Sequence, residues 1–386
     1  MLNSISKLRR MLASEIGKVF LIGLSSRLLV FGAAFLISIF YSSTKIVSSI
    51  PLVNFFSQWD GGWYTQIALF GYPAGINPLS GNWAFFPLYP FLMRVFGTPF
   101  YGLMSSTEAV LLSGFLISNV LFFVSLFLFY HVTKIIFGKS SFALISTVFF
   151  AFWPGALFYS TVYSESLFMT FALGAFYLLE KGKSGKSAVL GFFAALTRSN
   201  GLLVLIPFFY NGLQTRKYRT AVFQAMVIAL PYLLFNVYGY LLTGLFPVRE
   251  IVYNHIWGAS RLTLTQVTSY QIGYTGLFSF EAMLILLPFI WFLFTEKVPI
   301  RDFVLGLVGE RKDLKYWAFS IYLLLMLLFY SDPQNLHRYA LPILPLYWVS
   351  ALVWGKNRKI GKVLLVISTV ILVIGTILFT TGNIYL

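Results

Sequence analysis

The chain has 386 residues, 58% hydrophobic and 10% charged, with 28 basic against 12 acidic side chains and a net charge of +16. Soluble domains carry about 25% charged residues, so lipid rather than water is the expected solvent for most of this surface. Cysteine is absent, which excludes a disulfide framework, thiolate chemistry and iron–sulfur ligation. In a soluble chain such a charge would suggest nucleic acid. Here Lys and Arg sit in short connectors between apolar runs, so membrane topology explains them and no nucleic-acid partner is expected.

Residues 1–18 are basic and lead into an apolar run without a small-residue cleavage site, which predicts a retained first helix rather than a signal peptide. Runs that can cross a bilayer, alone or with their flanks, cover 19–41, 110–131, 142–158, 166–179, 221–242, 282–294, 316–330, 339–354 and 363–379. The run 188–210 is interrupted by Thr197, Arg198, Ser199, Asn200 and Gly201. It reads as two short helices meeting at membrane depth, where protein or a water-filled cavity satisfies the backbone. The sum is about eleven spanning segments, an all-α polytopic membrane helix bundle forming one domain over residues 1–386.

Basic clusters at 7–10, 134–139, 181–186, 216–219, 297–315 and 356–362 fall on one side, which the positive-inside rule makes cytoplasmic together with the N-terminus. The other side holds Lys45, Arg94, Arg249, Arg261 and Arg338. Loop 42–107 is then extracytoplasmic, in a cell membrane for a prokaryotic chain or the endoplasmic reticulum for a eukaryotic one.

Within that loop the first acid is Asp60, in QWDGGWY at 58–64. Trp59, Trp63, Ile67 and Phe70 recur at helical spacing, predicting a short amphipathic helix on the membrane surface with Asp60 at its mouth. Asp is a preferred helix cap. Gly61 and Gly62 directly after it are poor helix formers that let a bulky substrate approach the backbone, which suits a catalytic base. The aromatic, Pro-paired stretch 82–90 reads either as an interfacial belt or as the wall of a groove for an acyl or isoprenoid chain.

Glu165 opens a span, where the helix dipole favours an acid, and it shares a side with Asp60, where it could bind a sugar hydroxyl. Arg198, inside a membrane segment, costs about 3 kcal/mol or more and requires a partner or a cavity; a structural ion pair and a lipid phosphate both answer. His337 and Arg338 precede a Pro-interrupted helix, and the planar guanidinium fork matches phosphate oxygens, although interface anchoring also accounts for an Arg there. Arg249, Glu250, His255 and Arg261 are weaker candidates, and Arg27 is expected to snorkel toward the cytoplasm. Walker, GxGxxG, HExxH and serine-elbow motifs are absent, and three scattered His without Cys do not build a zinc site.

The blocks QWDGGWY and AFFPLYP within 58–90, LTRSNGL at 196–202 and HRYALPILPLY at 337–347 resemble the PIG-V family of mannosyltransferases. These are multi-pass enzymes of the GT-C superfamily, whose eukaryotic members add the second mannose to the glycosylphosphatidylinositol precursor. The resemblance implies a GT-C-like bundle with 42–107 as the catalytic loop and Asp60 as its acidic residue. It implies a sugar donor activated as a polyprenyl or dolichyl phosphate, met by Arg198 and Arg338. Trp59, Trp63, Tyr64, Glu165 and His337 complete the expected substrate site. Short later loops suit a prokaryotic relative.

The expected activity is inverting transfer of mannose to a lipid-linked or membrane-associated acceptor on the extracytoplasmic face. No cofactor is expected. Some GT-C members place a divalent ion such as Mg or Mn at the acidic residue, but a single loop acid does not build a tight cage. The alternative from another class is a secondary transporter, which the break at Arg198 would suit; the lack of an internal repeat and the aromatic loop around Asp60 speak against it.

Overall fold

The computed structural model describes residues 13–41, 46–74, 80–257, 312–329 and 336–382, and every regular element among them is helical, as expected for a membrane bundle. Ser14 starts α1 (Glu15–Phe40) by accepting from the Gly17 amide at 3.0 Å. Three short helices follow: α2 (Pro51–Phe56), α3 (Asp60–Phe70) and α4 (Leu88–Gly97). Ser105 caps the long α5 (Ser106–Phe137), and Glu108 in its first turn takes the Ser48 hydroxyl at 2.7 Å, tying the preceding loop to the helix. Next come α6 (Ser140–Ala151), α7 (Glu165–Glu180), α8 (Ser184–Thr197), α9 (Leu205–Thr215), α10 (Tyr218–Thr243) and α11 (Val248–Trp257). The C-terminal part supplies α12 (Leu314–Phe329), α13 (Leu336–Tyr339), α14 (Leu344–Lys356) and α15 (Arg358–Thr381).

Four of these helices, α1, α5, α10 and α15, are long and apolar enough to cross a membrane. Other expected spans form helices of 12 residues in α6, 16 in α7, 14 in α8 and 13 in α14. The expected span 282–294 lies outside the described residues. On α10, Phe223, Met226, Leu230, Leu233 and Leu241 all point outward. A row of that kind is stable against lipid, not against water. Between helices the apolar core is joined by side-chain hydrogen bonds: Trp348 Nε1 to Thr133 Oγ1 at 3.0 Å, Ser187 Oγ to the Ala175 carbonyl at 2.7 Å and Ser368 Oγ to the Phe152 carbonyl at 2.7 Å. Such bonds are favoured where lipid offers no competing partner.

The predicted break is present. α8 ends at Thr197, Arg198 is extended, and a 3-10 turn (Ser199–Val204) leads into α9. Gly201 lies against the backbone of Ala194 and Ala195, where any Cβ would overlap it, so the chain turns back on α8 at that point.

Three expectations are corrected. α3 exists, but its protein-facing side is Gly61, Tyr64, Thr65, Ile67 and Ala68, while Trp59 and Phe70 of the predicted stripe face outward. In lipid an apolar stripe need not mark the packed face. The 82–90 stretch is neither belt nor groove wall: Trp83, Phe86 and Tyr89 are buried, the first two in a small second core with Phe235, Val248 and Val252. Arg27 does not snorkel. It is 3% exposed, donates to Ser160 Oγ at 2.7 Å and the Ala156 carbonyl at 3.0 Å, and lies 4.1 Å over the Phe122 ring. The turn after α6 aims two acceptors at α1, so the guanidinium is held inside the bundle.

Candidate active site

Between α6 and α7 the chain makes a 3-10 turn (Pro154–Tyr159) and a buried bend through residues 160–164 that delivers Glu165 as the first residue of α7. The Val162 amide donates to the Phe56 carbonyl at 2.7 Å, fastening this bend to the end of α2. Glu165 and Glu180 mark opposite ends of α7, about 22 Å apart at 1.5 Å per residue. Glu180 pairs with Lys315 at 2.6 Å at its own end, away from the site.

The Glu165 carboxylate, 4% exposed, is held by two arginines. Arg198 Nη1 lies 2.5 Å from its Oε1, and Arg338 Nε donates to the same oxygen. The other arm of the Arg338 fork, Nη1, reaches Asp60 Oδ2 at 2.6 Å. Asp60, Arg338, Glu165 and Arg198 therefore form one row of alternating charge, although Asp60 and Arg338 are 278 residues apart in the chain. A planar fork presents its donors to two carboxylates in fixed directions, which the compact ammonium of a lysine does not. Because both signs are present in equal number, the row is neutral, and removing one of its deeply buried members, Glu165 or Arg338, would strand a charge at a cost of several kcal/mol.

Around the row, the Tyr163 ring lies 4.4 Å and the Phe158 ring 5.4 Å from the Arg338 guanidinium. The Tyr64 hydroxyl shares a 2.7 Å hydrogen bond with Ser164 Oγ, which also accepts from Arg198 Nη1 at 3.3 Å. Burial pushes the Tyr64 phenol up to about 12, so it keeps its proton near neutral pH. A small cleft beside the row is lined by Glu165, Arg198, Asn200, Arg338, Tyr339 and Pro342 among others. Asp60 lies on the other side of Arg338 and does not line it.

Asp60 begins α3 without capping it. Trp59 occupies the cap position with no side-chain cap bond, and the Asp60 carboxylate is turned to Arg338. Trp59 has φ +56° and ψ −114°, a conformation that costs a bulky residue about 1–3 kcal/mol and persists only where its surroundings enforce it. Its indole is 51% exposed beside Asp60, and Trp63 is half-buried, stacked on Phe85 at 6.3 Å.

Of the residues predicted for the site, Asp60, Glu165, Arg198 and Arg338 are brought into direct contact, Tyr64 touches them through Ser164, and Trp59 and Trp63 flank Asp60. His337 is placed elsewhere: it is buried with its ring 5.4 Å from Phe158, and its carbonyl occupies the space a Cβ on Gly155 would need. Arg249 and Glu250 pair with each other at 3.2 Å next to Tyr232, at the second core, and His255 is exposed. Arg261 lies outside the described residues. Sequence reasoning missed Tyr163, Ser164, Asn200 and Tyr339. Each is within two residues of a charge it had singled out, and that adjacency was the available signal. Among the described residues no three His, Asp or Glu side chains converge.

A family model described as "Mannosyltransferase (PIG-V)" matches residues 33–245, more than half of the chain. The chain belongs to this family. The match spans Asp60, Glu165 and Arg198, while Arg338 lies beyond it. Among relatives of this PIG-V member, GPI alpha-1,6-mannosyltransferase 2 of Cricetulus griseus is 28% identical over 209 residues, which cover 49% of this chain and 41% of that protein. The Mus musculus protein of the same name is 33% identical over 159 residues, covering 40% and 31%. GPI mannosyltransferase 2 of Schizosaccharomyces pombe is 27% identical over 162 residues, covering 42% and 32%. The chain thus spans less than half the length of the curated relatives it matches. An oligosaccharyltransferase of Archaeoglobus fulgidus superposes with a TM-score of 0.49 at 12% identity, covering 92% of this chain and 53% of that one. A score at that level leaves the architecture to be described from the chain's own helices.

Proposed function

We propose that this PIG-V family member transfers mannose, with inversion, from a polyprenyl-phosphate donor to a lipid-linked acceptor on the extracytoplasmic side of the membrane. The observation that carries the reading is the row Asp60–Arg338–Glu165–Arg198, with a small cleft beside it. A carboxylate and a phosphate-matched fork stand within one hydrogen bond of each other. In the reaction the acceptor oxygen forms a bond to the anomeric carbon as its proton passes to the Asp60 carboxylate. The bond from that carbon to the phosphate oxygen breaks, and the electron pair leaves with polyprenyl phosphate. Arg198 and Arg338, with Asn200 and Tyr339 across the cleft, receive the growing negative charge.

Arg338 belongs to both halves of the site. Drawn toward a donor phosphate, it frees the Asp60 oxygen that must take the proton. Double displacement would need a second carboxylate as nucleophile; Glu165, buried between two guanidinium groups, is unsuited to attack. Trp59 and Trp63 supply flat faces beside Asp60 for the acceptor sugar. The transporter alternative draws on the break at Arg198, but that break serves to aim Arg198 at Glu165.

Purified protein in lipid, given polyprenyl-phosphate mannose and a glycosylphosphatidylinositol precursor bearing one mannose, should yield a product heavier by one hexose and release polyprenyl phosphate. Donor consumption without hexose transfer to any lipid acceptor would reject the reading. The sidedness is tested separately on this Cys-free chain. Gly102 is exposed with open space around it, and Lys183 is exposed between α7 and α8. A membrane-impermeant thiol reagent added outside cells should label Gly102→Cys and leave Lys183→Cys untouched; the reverse pattern would invert the topology.

A further inference from the structure

The bend that delivers Glu165 also carries a side chain in contact with both partners of the Asp60–Arg338 pair. Tyr163 is 2% exposed, and burial pushes its phenol well above the usual range, so the hydroxyl is a durable donor. That hydroxyl donates to the Gln58 carbonyl at 3.1 Å and accepts from the Asp60 amide at 3.2 Å. The two groups belong to the peptides on either side of Trp59, the residue held at φ +56°. One oxygen therefore brackets the unusual backbone that sets where Asp60 leaves the loop. The ring of the same residue faces the Arg338 guanidinium at 4.4 Å. Tyr163 is itself anchored, its carbonyl accepting from Ser118 Oγ at 3.1 Å and its ring stacked on Phe158 at 5.7 Å.

We infer that Tyr163 is a positioning residue, which sets the Asp60 carboxylate against Arg338 by clamping the backbone on both sides of Trp59. The inference rests on the reading of Asp60 as the base. Tyr163 touches Asp60 only at the backbone and Arg338 only through the ring face, so the effect of its hydroxyl on transfer passes through Asp60.

Tyr163→Phe keeps the ring over Arg338 and removes the clamp alone. With the full chain in lipid nanodiscs, polyprenyl-phosphate mannose and the mono-mannosylated precursor as probes, kcat should fall about 10- to 100-fold, the scale of a base displaced by roughly 1 Å. Donor affinity should be unchanged, because the phosphate side of the row is untouched. In an Asp60→Asn background the same change should cause no further loss, since residues that act as one unit are not additive. A parent-like kcat for Tyr163→Phe, or the same factor lost again on top of Asp60→Asn, overturns the inference while leaving the base reading intact. A parent-like Asp60→Asn removes the base reading itself, and the inference with it. Should Tyr163→Phe fail to accumulate, 4-aminophenylalanine at 163 restores a hydrogen-bonding group at the same place. Its kcat should then lie near the parent's, and a kcat as low as that of Asp60→Asn would overturn the inference.

Discussion

Asp60→Asn should lower transfer by about 10² to 10⁴, the usual contribution of general-base assistance, with little change in expression, thermal midpoint or donor binding. The amide has almost the shape of the carboxylate, and its oxygen can still accept from Arg338 Nη1, now at 2.6 Å from Asp60 Oδ2. What it lacks is the charge and the basicity to take a proton. No helix cap is lost, because Trp59, not Asp60, holds the cap position of α3. Asp60→Glu should also be impaired, since one added methylene moves the base by roughly 1 Å. Initial rates measured by mass detection of the mannosylated product decide the matter. Near-normal turnover of Asp60→Asn with a working acceptor would require another base, and Glu165 is the next carboxylate along the row.

Arg338→Lys should be nearly as damaging despite conserving charge. The guanidinium spends Nη1 on Asp60 and Nε on Glu165 simultaneously. An ammonium on a shorter, flexible stem has three rotatable donors about one charge centre and does not hold the two carboxylates in the fork's fixed geometry. Transfer is expected to fall about 10²- to 10³-fold, as when a single electrostatic donor is removed from a developing anion. Unlike Asp60→Asn, the variant should also weaken donor binding and lower the thermal midpoint, because a 4% exposed Glu165 keeps only Arg198 at full strength. Arg338→Met should be worse on stability, since breaking a buried pair typically costs about 3–5 kcal/mol. Binding of polyprenyl phosphate and melting curves in detergent separate the two effects. Equal donor affinity in Arg338→Lys and the parent would remove the phosphate role from Arg338.

The membrane class, the helical content and the break at Arg198 were legible in the amino-acid order, because each follows from local composition. Apolar runs demand helices in lipid, and a cluster such as Thr197–Arg198–Ser199–Asn200–Gly201 cannot continue one there. The charged candidates were legible for a related reason: an Arg inside a span is too expensive to carry without a partner, and a lone Asp in an aromatic loop and an Arg at a span's edge are rare charges on the same side of the membrane. Which faces pack was not legible. The spacing of Trp59, Trp63 and Phe70 marks an apolar stripe, but in a bilayer that stripe can face lipid while Gly61, Tyr64 and Ala68 face the protein. The same ambiguity hid Trp83 and Tyr89 in the interior and led Arg27 to be read as a snorkelling side chain.

Partner choice was decided only by the tertiary structure. Nothing local to Arg338 says that its fork spans Asp60 and Glu165, and nothing local to Glu165 says that it serves Arg198 as well as a helix dipole. His337 and Arg338 are neighbours in the chain, yet one ring is buried against Phe158 while the other side chain holds the charged row together. Tyr163 reads in sequence as one more aromatic of 23 tyrosines, and acquires its role from a hydroxyl that meets the two peptides flanking Trp59. Sequence by itself determined which residues could not be left unpaired in lipid. The fold determined with whom they pair, because an ion pair needs contact within a few ångströms, and contacts between residues 100 to 300 positions apart exist only once the helices have packed.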